Sequence, residues 1–114
     1  MSTTDTGRRA EKAAATYLEM RGYQIIERNW RRPRCEIDII AKKDGVVCFV
    51  EVKYRRDDKQ GGGLEAITPT KLRQMRYAAE SWREESKYRG ESQLGAVEVA
   101  DPNFTIMNFI DNVF

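Results

Sequence analysis

Histidine is absent from this 114-residue sequence. Its absence excludes Ser-His-Asp and Cys-His catalysis, and every zinc site built with an imidazole ligand. Cysteine is scarce: Cys35 and Cys48 alone cannot form a disulfide framework. Both read as reduced thiols of a cytoplasmic protein, Cys48 as a small core residue. No apolar run approaches the roughly 20 residues that cross a bilayer, and no signal peptide heads the chain, so no membrane partner is expected. A charge imbalance is missing too. Twenty basic residues face 18 acidic ones, a net charge of +2, so charge alone does not identify a nucleic-acid partner. What remains is 40% hydrophobic and 33% charged, the composition of a polar globule. Its length suits one domain, 1–114, around one core.

The stretch from Cys35 to Tyr54 organises that domain. Two runs rich in Val, Ile and Phe flank Asp44-Gly45, a strong signal for a two-residue hairpin turn. With those residues as the turn, Lys43 faces Val46 and Lys42 faces Val47. Continuing the ladder sets Asp38 across from Glu51 and Glu36 across from Lys53. Directly opposed residues share a face, with Cβ atoms roughly 4.5–5.5 Å apart. Two facing carboxylates repel, and a hard divalent cation relieves that repulsion while keeping water on its open positions. Lys53 follows Glu51 by two residues, so the pleat turns it to the same face. Two carboxylates and an amine around one point make a site for metal-assisted phosphodiester hydrolysis. Alternating charges also describe an ordinary solvated strand face. Against that stands the apolar character around them: Ile37, Ile39, Val50 and Val52 are expected on one face, and Val47 and Phe49 on the charged one.

On either side of the hairpin the chain alternates helix and strand signals. Asp5 or Thr6 is the expected N-cap of a helix over 7–21, with Ala10, Ala13, Ala14, Tyr17 and Leu18 as its apolar stripe and Gly22 as its stop. Glu11 lies beside that stripe. Tyr23–Asn29 reads as a strand. Trp30 follows among arginines, able to stack on a base or to pack on the sheet beneath the arginine stems. Arg28, Arg31, Arg32 and Arg34 precede the hairpin's acids, and Arg55, Arg56 and Lys59 follow them, as phosphate contacts require. The glycine-rich segment 54–63 reads as a mobile loop, either a flap for substrate or a plain connector. Thr68-Pro69 opens a helix running to about Tyr88. Lys71 near its start is placed for phosphate, with Gln74 a turn further on. Leu94–Ala100 and Phe104–Ile110 read as closing strands around Asp101-Pro102-Asn103.

These residues carry a resemblance. Asp38, a gap of twelve, then Glu51-Val52-Lys53 resembles the core of the PD-(D/E)xK restriction-endonuclease-like nucleases. Its spacing and upstream helix are closest to archaeal Holliday-junction resolvases. The whole chain is similar to the bacterial YraN family assigned to that fold: GRRAEKAAATYLEMRGYQIIERNW at 7–30, EID…FVEVK at 36–53, and EAITPTKLRQMRYAAESW at 65–82. Cys35 and Ala10 stand where the family usually has glycine, and Gly95 where it often has an aspartate.

Element order and resemblance together imply an α/β, restriction-endonuclease-like three-layer core: a central mixed five-stranded sheet flanked by helices, in the order αβββαββ. The resemblance further implies Mg²⁺ or Mn²⁺ held by Asp38, Glu51 and the Val52 carbonyl. Lys53 would orient the attacking water, and Glu11 and Glu36 would hold outer waters or a second cation. Gln74 would support the site. DNA would be selected by shape, at branched or flapped structures, because nothing here resembles a base-reading element. A homodimer is part of the same implication, since two-fold branched DNA suits a two-fold protein. A nucleic-acid-binding module without turnover, or a protein-interaction scaffold, remains open as the alternative.

Overall fold

The structure is a computed structural model describing residues 3–55 and 67–113. Arg56, Lys59 and most of the glycine-rich segment lie outside the described residues. Helix α1 spans Thr3–Met20. It starts earlier than expected, so Asp5 falls within the first turn, where the helix dipole favours a carboxylate. Gly22 ends it at φ 95°. There the Tyr23 N–H donates to the Leu18 carbonyl at 3.0 Å and the Gly22 N–H to that of Glu19 at 3.0 Å, closing off carbonyls the helix leaves open.

Five strands follow in one sheet of order β1-β2-β3-β4-β5: β1 Gln24–Arg32, β2 Cys35–Lys43, β3 Val46–Arg55, β4 Glu91–Ala100 and β5 Thr105–Ile110. Neighbours are antiparallel except β3 and β4, which run parallel from Val46↔Glu91 to Arg55↔Ala100. A parallel pair needs a crossover, and helix α2, Pro69–Ser86, supplies it. Thr68 caps α2, its side chain accepting the Lys71 N–H at 3.1 Å with Pro69 in the first turn. The helix stops short of Tyr88 because Lys87 turns left-handed at φ 57°. Its N–H and that of Tyr88 then reach back to Glu84 and Arg83.

Each helix covers one face of the sheet. Ala10, Ala14, Ala15 and Leu18 of α1 pack with Ile39, Val50, Val97 and Val99. Met75, Ala78, Ala79 and Trp82 of α2 pack with Trp30, Ile37, Ile40 and Phe49. Phe49 and Trp82 meet edge to face, centroids 5.5 Å apart. This is the expected restriction-endonuclease-like architecture. Trp30 is 2% exposed within the α2-side cluster, with the Arg32 guanidinium 4.5 Å over its ring. It therefore belongs to the core and presents no face to a base.

The hairpin register is as expected from Lys43↔Val46 to Ile39↔Val50, and there it stops. The expected pairs beyond it do not form. Ile37 lies in the α2-side cluster while Ile39 lies in the α1-side cluster, so the two do not share a face. Alternation breaks between them. On β1 the matching break lies between Arg28↔Ile39 and Trp30↔Ile37, where Asn29 adopts φ 54°. A left-handed residue rotates the strand. Beyond that point β2 turns away with β1, and β2 and β3 fork.

Gly95 has a packing reason in this chain. A Cβ there would stand 2.7 Å from Cys48 Sγ and 3.1 Å from the Ile110 carbonyl oxygen. Gly95→Ala is expected to destabilise the fold by about 1–3 kcal/mol, the usual cost of overpacking. Adding Cys48→Ala, which removes the nearer atom, should recover part of that loss. Urea unfolding of the single and double variants checks both statements.

Candidate functional site

Asp38, Glu51, Lys53, Glu11 and Glu36 all gather around the fork, though not as a flat ladder would arrange them. Where backbone pairing ends, the Val52 N–H donates to Asp38 Oδ2 at 2.8 Å. The side chain takes the place of a strand carbonyl and satisfies an amide the fork would otherwise strand. Asp38 opens onto a cavity of about 520 Å³ on the α1 side, shared with Glu11, Asn29, Glu36 and Tyr54. Glu51 opens onto another of about 600 Å³ on the α2 side, shared with Arg34, Glu36, Lys71 and Gln74. Arg31 and Glu36 line both. The acids thus approach the fork from its two sides.

Each acid but one has a cationic partner. Glu11, 6% exposed, accepts from Asn29 Nδ2 at 2.7 Å and from Arg28 Nε at 3.3 Å. Burial raises its pKa and Arg28 opposes that rise. Glu51 Oε2 lies 3.4 Å from Lys53 Nζ and 3.2 Å from Lys71 Nζ. Glu36 pairs with Arg31 at 3.4 Å, and not with Lys53 across the hairpin, because the fork carries β2 towards β1. Among the described residues, no lysine or arginine is ion-paired with Asp38. Burial pushes its carboxyl up to about 7, the negative charge of Glu51 adds to this, and the Val52 N–H only partly offsets it.

Several expected phosphate contacts are engaged within the protein. Arg28 holds Glu11, and Arg32 is bound to Glu85 of α2. Lys71 is a counter-ion of Glu51. Arg55 requires correction. Strand alternation turns it onto the α2 side beside β4, where its Nε meets Glu98 at 2.9 Å with its side chain 13% exposed. It is a buried ion-pair member. Arg31 and Arg34 remain exposed on the α2-side cavity, with Gln74 across from them.

Two residues escaped sequence reasoning. Asn29 bends β1 and donates to Glu11; its only signal was that asparagine tolerates positive φ. Glu98, 2% exposed, accepts from Asn108 at 2.8 Å. An acid amid the apolar run Ala96–Ala100 was a visible sign of it.

The donors around the fork are oxygens, from carboxylates and main-chain carbonyls. They suit a hard cation such as Mg²⁺; the chain has no imidazole to offer, and Cys35 lines the α2-side cavity beside Glu36 and Glu51. The repulsion lifting Asp38 is also what a cation would relieve. Among the described residues no group of three or more His, Cys, Asp or Glu side chains stands ready to hold a metal. No described helix is long and apolar enough to cross a membrane.

Residues 10–104 match the model of "Uncharacterised protein family UPF0102". The chain is 48% identical over 81 residues to a UPF0102 protein of Chlorobium chlorochromatii, covering 71% of this chain and 63% of that protein. It is 42% identical over 98 residues to one from Mycolicibacterium gilvum, covering 81% and 80%. A third, from Renibacterium salmoninarum, is 38% identical over 99 residues, covering 86% and 84%. The chain therefore spans less than two thirds of the length of the Chlorobium relative, and most of the other two.

Asp38 sets a pH dependence whose sign follows from its raised pKa. Below about pH 4 the folded and unfolded chains both hold its proton. Between there and about 7 the folded chain keeps a proton the unfolded chain has lost, so its contribution to stability falls as pH rises. Asp38→Asn keeps an acceptor for the Val52 N–H and removes the charge. The variant is expected to exceed wild type in stability by at least about 1 kcal/mol at about pH 8, with the gap closing towards pH 4. Urea unfolding across that range without metal reads the difference.

Proposed function

The chain belongs to the UPF0102 family and has a nuclease-like fold, and from these we propose that it catalyses divalent-metal-dependent phosphodiester hydrolysis on DNA, at branched or flapped structures. One observation carries the proposal. Among the described residues Asp38 is the carboxylate at the fork without a cationic partner, and its carboxyl is raised to about 7 by burial and by Glu51. A half-buried acid left so open to repulsion is costly to keep for structure alone. Mg²⁺ or Mn²⁺ would be held by Asp38, Glu51 and the Val52 carbonyl. When bound, the cation supplies Lewis-acid polarisation of the phosphodiester and a more acidic water.

The remaining chemistry belongs to side chains. Lys53, within reach of Glu51, orients the nucleophile and offsets charge developing on the phosphate. Glu11, held by Asn29 and Arg28, and Glu36 accept hydrogen bonds from waters in the α1-side cavity. Lys71 leaves Glu51 for a phosphate oxygen as substrate arrives. Arg31 and Arg34 position the backbone, and recognition follows shape because these contacts carry no base information.

A second reading has its own support. Lys53 and Lys71 already neutralise Glu51, which suits a module that binds nucleic acid and does not cut it. Wild type incubated with nicked, flapped and four-way DNA in Mg²⁺ or Mn²⁺ separates the two. Turnover is expected, reduced about 100-fold or more in Asp38→Asn and Lys53→Ala. Millimolar Mn²⁺ should also raise the melting temperature of wild type and leave that of Asp38→Asn unchanged. Binding without cleavage in every case, insensitive to both substitutions, would make the protein a binding module.

A further inference from the structure

The α2-side cavity contains one feature that hydrolysis at the fork does not require. Tyr77 lies on its wall, 54% exposed. Among the described residues its ring makes no aromatic or cation contact, although tyrosines 17, 23, 54 and 88 all make one. Helical spacing puts Arg73, Gln74 and Tyr77 on one face of α2, with roughly 6 Å of axial rise from Arg73 to Tyr77. Arg31, Arg34 and Glu51 line the same cavity. An aromatic ring with no ring or cation contact among the described residues, in a groove shared with guanidinium groups and Glu51, is an unusual way to spend surface.

We infer that this groove is a subsite for an unpaired nucleotide beside the cleaved bond, with its base stacked on Tyr77 and its phosphates met by Arg34 and Arg73. Chemistry selects this occupant. The cations call for a polyanion. A ring face binds a base face, and a duplex hides base faces in its stack and presents only edges in its grooves. Single strands present those faces freely, and stacking on them is indifferent to sequence. A cavity of about 600 Å³ falls in the range of small-ligand sites, which matches one or two nucleotides and not a double helix. The inference rests on the nucleic-acid reading of the fork and narrows it: the preferred substrate has a single-stranded segment at the point of cutting.

Fluorescence anisotropy tests this with a labelled oligothymidylate and a blunt duplex of equal length, in EDTA and again in Ca²⁺. Wild type is expected to bind the single strand more tightly than the duplex. Tyr77→Ala should lose roughly tenfold or more of that single-strand affinity, Tyr77→Leu nearly as much, and Tyr77→Phe little. Arg34→Ala and Arg73→Ala should each flatten the slope of log K against log salt by about 0.7. Unchanged binding by Tyr77→Ala, or equal affinity for duplex and single strand, overturns the subsite. If Asp38→Asn still abolishes cleavage in that event, hydrolysis at the fork stands without it. Binding to neither probe under either condition overturns the subsite and the nucleic-acid reading together.

Discussion

Where β2 and β3 part, one hydrogen bond replaces the ladder: the Val52 N–H donates to Asp38 Oδ2. The fork exists because β1 and β2 must serve both layers. Ile39 feeds the core under α1, and Ile37 and Trp30 feed the core under α2. The reversal between them takes a left-handed Asn29 and pulls β2 off its partner. An unpaired amide inside the sheet would cost the free energy of a lost hydrogen bond. A carboxylate satisfies it and in return becomes partly buried. Core packing, strand separation and the perturbed acid are therefore one structural arrangement.

Charge around that arrangement is distributed unequally. Glu11, Glu36 and Glu51 are each matched by arginine or lysine. Among the described residues Asp38 has a backbone N–H and no cation, and it carries the large rise in pKa. Balancing every acid would have made a more stable protein, since like charges drawn from water disfavour the fold. An imbalance confined to the position where two core clusters meet, at the mouth of two cavities, is what the proposed metal site rests on. Away from the fork, the buried Glu98 joins Arg55 of β3 to the exposed Asn108 of β5 and ties β3, β4 and β5 together.

Much of the architecture was legible before any coordinates. Asp44-Gly45 located the hairpin, Thr68-Pro69 the start of α2, and Gly22 the end of α1, because each acts through local backbone geometry. The hairpin register followed from the turn as far as Ile39↔Val50. Beyond it, extrapolating a straight ladder put Ile37 on the wrong face and paired Glu36 with Lys53. The error has a physical origin: period-two alternation holds only while a strand is regular, and one positive-φ residue on the neighbouring strand reverses it.

The amino-acid order by itself determined the elements, their boundaries to within a few residues, the three-layer class, and Asp38, Glu51 and Lys53 as candidates for one site. Those are consequences of short-range preferences and hydrophobic period. Tertiary structure alone decided which charges stayed free. Arg55 turned inward to Glu98, Lys71 went to Glu51, Trp30 entered the core, and Tyr77 was left bare. Such outcomes depend on which distant side chains share a face, and no local pattern encodes that.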